Sequence, residues 1–177
     1  MTDAACPFIL GRSPRNLLTQ IKHDISLLFR GFRMRPPGTT LSDGFAYFDH
    51  DADIGVIGRG ATLEAAFEAA ARGTFAIMAD PERVRPREQV AFEFEEADVE
   101  LALVRWLNLL ITHAREQGLA LGRFEIRRNG ARWRGVAGGE PWPAGLERGV
   151  EVKGATLTML RVTQDAAGWE ARCVVDV

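Results

Sequence analysis

The dipeptide Asn129-Gly130 is the tightest constraint on how this chain can fold. Two-residue hairpin turns need positive φ, which asparagine and glycine tolerate better than other residues. Phe124–Arg128 and Arg132–Val136 flank the dipeptide as strand-like runs, so an antiparallel hairpin is predicted there. Further strands are available to extend it. Glu88–Glu96 alternates, with Val90, Phe92 and Phe94 on one face and Ala91, Glu93 and Glu95 on the other, which describes a strand with one wet face. Gly44–Asp49 and Asp53–Arg59 read as strands, as do Val152–Val162 and Trp169–Val175 around Asp165-Ala166-Ala167-Gly168. The 138–149 stretch, with Pro141, Trp142 and Pro143, reads as a loop.

Two segments change period. Leu63, Phe67, Ala70, Ala71, Phe75 and Met78 recur at helical spacing behind the N-cap candidate Thr62, with Asp80-Pro81 as the stop. Glu68 and Arg72 are spaced to pair on the wet side of this helix. A second stripe, Leu103, Leu107, Leu110, Ile111 and Ala114 with Trp106 beside it, runs from the cap Asp98 to the stop Gly118. His113, near the end of this helix, reads as a partly exposed surface histidine. The order is strand, strand, helix, strand, helix and then four strands. That is α+β: a mostly antiparallel sheet system with two packed helices in a single domain.

Charge divides the chain. Residues 1–43 hold six basic and three acidic residues, while the remainder holds sixteen basic and twenty-one acidic. The acidic body, residues 44–177, is a poor direct ligand for nucleic acid and suits a basic protein partner or a metal. In the basic segment Leu17, Leu18, Ile21, Ile25, Leu28 and Phe29 recur at helical spacing before a break at Arg35-Pro36-Pro37-Gly38. A docking or membrane-surface helix is one reading, and translation starting at Met34 is another. Under each, 1–43 is expected to be a loosely ordered extension. Cys6 and Cys173 form no metal-type pair, and no apolar run reaches membrane-spanning length. A reducing cytoplasm is the expected compartment, with Cys173 a small core residue.

The chemistry concentrates in Phe48-Asp49-His50-Asp51-Ala52-Asp53-Ile54-Gly55. If this stretch is extended, its period of two puts Asp49, Asp51 and Asp53 on one face. Repulsion between them would favour a hard cation, Ca²⁺ or Mg²⁺. The alternative is a solvated acidic turn between two strands. No nucleotide-type glycine loop precedes a helix.

Asp49-His50-Asp51-Ala52-Asp53-Ile54 resembles the Asp-His-Thr-Ala-Asp-Ile signature of the archease family. Thr62–Phe67 resembles the helix start that follows it, and Trp106-Leu107-Asn108 the family's second helix. Glu151-Val152-Lys153-Gly154-Ala155-Thr156 is similar to its Glu-Val-Lys-Ala-(Ile/Val)-Thr run, and the end Val175-Asp176-Val177 to its terminal Asp-Ile or Asp-Val. The resemblance covers residues 44–177. It implies an accessory protein, not itself an enzyme, that promotes guanylylation and repeated turnover of an RtcB-type RNA ligase in tRNA splicing or RNA repair. Contact with RNA would then be indirect, through the ligase, and no membrane is involved. It also implies Ca²⁺ held by Asp53, Asp176 and Val177, with Mg²⁺ as the other hard cation.

Asp51 stands where the family has threonine, and could add a ligand or support one from behind, as could Asp49 and His50. His50 is also read as a hydrogen-bonded structural histidine. Lys153 and Thr156 are candidates for the partner interface. Leu157-Thr158 stands in place of the Tyr-His often found after the family's threonine, and Gly154 replaces alanine. The rival reading is a hydrolase that uses a carboxylate-held Mg²⁺ to activate water.

Overall fold

The computed structural model describes residues 44–177. The amphipathic pattern at 17–29, Cys6, Met34 and the expected looseness of residues 1–43 lie outside the described residues.

The described residues form an α+β domain of two antiparallel sheets and two helices. In the first sheet, β1 (Gly44–His50) pairs with β2 (Asp53–Gly60), which pairs with β8 (Gly168–Asp176). Two short strands, β6 (Gly154–Ala155) and β7 (Arg161–Asp165), also pair with β8. The second sheet has the order β3 (Glu88–Glu95), β5 (Arg132–Pro141), β4 (Leu119–Asn129). Helix α1 (Leu63–Ala76) and helix α2 (Val99–Gln117) pack on these sheets. Among the described residues no helix is long and apolar enough to cross a membrane.

Local chemistry explains the elements. Thr62 caps α1 by accepting the Ala65 amide, and Asp98 caps α2 by accepting from Glu100 and Leu101. Gly118 ends α2 at φ 65°, a left-handed conformation that suits glycine. The apolar stripes of both helices form the core with Trp106 and Trp133, and Phe67 stacks on Trp133 at 5.2 Å. Helix α1 lies so close to β2 that a Cβ on Gly58 would collide with the backbone of Ala66 and Ala70. Cys173 is a core residue, and burial pushes its thiol up to about 12. His113 is half-buried and stacks on Phe92.

Several expectations change. Residues 138–141, read as loop, continue β5 to Pro141. The hairpin closes on Gly130-Ala131, because Asn129 pairs with Arg132 and glycine alone takes positive φ, at 62°. Helix α1 stops at Ala76, before Asp80-Pro81; Val150 and Gly149 donate to the Ile77 and Met78 carbonyls and fix the exit. Val152–Val162 is not one strand. Thr156 and the positive φ of Met159 (54°) break it into β6 and β7, so five strands follow α2.

A further change concerns Glu68, which is half-buried and accepts the Ile126 amide at 3.0 Å. Its carboxylate satisfies the edge of β4 from a half-buried position, with the expected charge of Arg72 still acting on it. Burial pushes its carboxyl above the ordinary range, and the Ile126 amide, Arg127 and Arg72 partly offset that. A carboxyl raised in the folded chain contributes stability at low pH that is lost as pH rises through its folded pKa. Relative to Glu68→Gln, the unmodified protein should gain stability as pH falls from about 7 to about 4. Glu68→Ala should cost about 1–3 kcal/mol at neutral pH by orphaning the Ile126 amide. Chemical denaturation of both variants across this range checks the sign.

Candidate functional site

The site lies at one end of the first sheet, and strand register builds it. His50 pairs with Asp53 at the β1–β2 turn. Ile54 pairs with Val175, so continuing that register by one residue sets Asp53 opposite Asp176. Gly154 pairs with Asp176 on the other side of β8. Residues directly opposite share a face. His50, Asp53, Asp176 and Gly154 therefore form one row across β1, β2, β8 and β6.

The three alternating aspartates do not share a face. The chain reverses at Asp51-Ala52, both exposed, with Asp51 at φ 43°. Aspartate is among the residues that tolerate that region. Asp49 pairs with Ile54, which puts it on the opposite face from Asp53. Of the two readings of this stretch, the acidic turn between strands is the observed one. What the sequence spacing could not reveal is that the neighbour of Asp53 is Asp176, more than a hundred residues away.

The chain end is tied down. Val174 and Val175 are fully buried, and the half-buried Val177 packs against the core. The Lys153 amide donates to the Asp176 carbonyl at 2.8 Å, and Lys153 Nζ donates to the Val177 main-chain oxygen at 2.9 Å. Backbone and side chain of one lysine thus clasp the last two residues. The segment carrying it is itself anchored to α2. Asn108 donates to the Ala155 carbonyl at 3.0 Å and accepts the Ala155 amide at 2.9 Å. A Cβ on Gly154 would come within 3.1 Å of Asn108 Oδ1, so glycine relieves the fit. Arg115 pairs with Glu151 at 3.4 Å.

Thr156 has a structural task. Its amide and hydroxyl both donate to the Val174 carbonyl, at 2.9 and 3.0 Å, and its hydroxyl accepts the Thr158 amide. That turn leaves Leu157 and Met159 exposed at 65% and 50%. Sequence reasoning missed Asn108 as an anchor. Its signal was a polar residue between Leu107 and Leu109, inside the apolar run of the helix.

Among the described residues, no group of three or more His, Cys, Asp or Glu side chains is arranged to hold a metal ion. The oxygens this sheet end offers a cation are those of Asp53, Asp176 and the Val177 main chain. That donor set is all oxygen, which fits a hard cation. His50 does not behave as the expected hydrogen-bonded histidine at Nδ1, a buried atom with no hydrogen-bond partner. An orphan at the end of this row marks a position suited to a polar partner. Asn108→Ala should speed hydrogen exchange at the Ala155 amide at least tenfold, the equivalent of about 1.4 kcal/mol from a lost hydrogen bond. Exchange followed by NMR checks this.

Residues 45–177 match the model of the Archease protein family (MTH1598/TM1083). The chain is 35% identical over 136 residues to a protein archease of Sulfolobus acidocaldarius, covering 75% of this chain and 98% of that protein. It is 41% identical over 138 residues to a protein archease of Thermococcus gammatolerans, covering 74% and 96%. Among solved structures it is similar to protein 1598 of Methanobacterium thermoautotrophicum, with a TM-score of 0.64, 29% identity, and coverage of 76% of this chain and 99% of that one.

Proposed function

The chain belongs to the archease family, and from that premise we propose that it is a cation-binding accessory protein that promotes guanylylation and multiple turnover of an RtcB-type RNA ligase. The observation that carries this reading is the register of β2, β8 and β6, which gathers Asp53, Asp176 and the chain terminus at one sheet end. Asp53 and Asp176 are like charges on adjacent strands, an arrangement that is destabilising without a counter-charge. Ca²⁺, or Mg²⁺ in its place, would neutralise them and tie the start of β2 to the end of β8. The cation supplies charge and rigidity there. The chain's own residues supply the rest: Val174 and Val175 carry the terminus to a fixed place, Asn108 holds β6, and Lys153 holds the last carbonyls. Such an arrangement presents a stiffened surface to a partner protein, and any contact with RNA would run through the ligase.

Asp53→Ala should abolish Ca²⁺ binding by calorimetry while shifting the melting temperature in chelator by no more than about 4 °C, since the side chain supplies charge and not packing. A C-terminal tag turns the Val177 carboxylate into an amide and moves the free charge away. Calcium affinity and ligase guanylylation should both fall with that tag and stay unchanged with an N-terminal one. Equal guanylylation with and without the untagged protein would overturn the proposed role.

A further inference from the structure

We infer that Lys153 is a built-in counter-cation for the chain terminus, which a divalent ion must displace in order to bind. The inference rests on the proposed cation site and concerns its regulation. Lys153 Nζ lies 2.9 Å from the Val177 main-chain oxygen, an oxygen that the cation would use. The ammonium does not reach this position by chance. The Lys153 amide is bonded to the Asp176 carbonyl at 2.8 Å, and the next residue, Gly154, pairs with Asp176. Ala155 is held to α2 by both ends of the Asn108 amide. The backbone that bears Lys153 is therefore fixed against the terminus, while its side chain is exposed to solvent.

Chemistry supports exchange in place of sharing. An ammonium is a compact, strongly hydrated point charge on a flexible stem, so it leaves a carboxylate at little cost. An ammonium and a divalent ion at neighbouring positions repel each other. At about 5 Å in water-like surroundings that repulsion weakens metal binding roughly tenfold. The Val177 oxygen thus has two alternative positive partners. One is permanent, monovalent and covalently attached. The other arrives from solution. Loading the ion would release the ammonium from Val177 and turn it outward, changing what this corner presents to a partner. The lysine would also set a threshold, because the site fills only when the cation outcompetes it.

The test compares the unmodified protein with Lys153→Gln and Lys153→Arg by Ca²⁺ calorimetry at low ionic strength. Lys153→Gln removes the charge and keeps most of the stem, and should bind Ca²⁺ about tenfold more tightly. Lys153→Arg keeps the charge and should bind as weakly as the unmodified protein or more weakly. In the unmodified protein, the ¹⁵Nζ resonance of Lys153 should shift on Ca²⁺ addition as its hydrogen bond to Val177 breaks. Binding by Lys153→Gln alone would support the lysine as the group that closes the site. Equal affinity in all three proteins would overturn the exchange while leaving the cation site standing. Weaker binding by Lys153→Gln would also overturn it, making the lysine a positioning group for the terminus. No binding by any of the three would overturn both the cation site and the exchange.

Discussion

The ladder between β2 and β8 is the interaction on which the rest of this structure depends. It runs from Ile54–Val175 to Gly60–Trp169 and joins the first part of the described chain to its last nine residues. It also fixes which residues share a face. Val56, Cys173 and Val175 turn into the core, and alternation then sends Asp53 and Asp176 to the other side. A slip of one residue would turn Asp176 towards the core in place of Val175. The burial of the core face therefore protects the site's geometry.

Glycine lets a helix cover this ladder. Gly58 of β2 leaves room for the Ala66–Ala70 backbone of α1, and the small residues Ala66, Ala69, Ala70 and Ala71 continue the close fit. The same helix reaches the second sheet through Glu68, whose carboxylate replaces the strand that β4 lacks on that side. Helix α2 stabilises the opposite flank through Trp106 in the core and Asn108 on β6. One helix thus supports the ladder from below, while the other holds the short strand that braces the chain terminus.

Much of this was legible in the sequence where the signal is local. Caps at Thr62, Asp98 and Gly118, the apolar stripes and the alternation of Glu88–Glu96 each report on their own neighbourhood, and each has its counterpart in the structure. The failures share a cause. Glu68 read as a wet helix residue because its partner, the Ile126 amide, is fifty-eight residues away. Val152–Val162 read as one strand because nothing apolar in it betrays the positive φ of Met159. The acidic stretch invited a one-strand reading, but its reversal at Asp51-Ala52 separates Asp49 from Asp53. Pairing Asp53 with Asp176 requires knowledge of the strand order, which periodicity does not contain. Only the resemblance to a family linked those two residues in advance.

The central claim is that strand register assembles a hard-cation site from Asp53, Asp176 and the chain end. Anomalous diffraction from crystals grown with Ca²⁺ tests it most directly, since it reports position and ligands together. The account predicts a single strong peak at this sheet end, with oxygens of Asp53, Asp176 and the Val177 terminus at about 2.3–2.6 Å and Lys153 Nζ turned away from Val177. A peak held by other residues, or none at saturating Ca²⁺ with Lys153 still bonded to Val177, would contradict it.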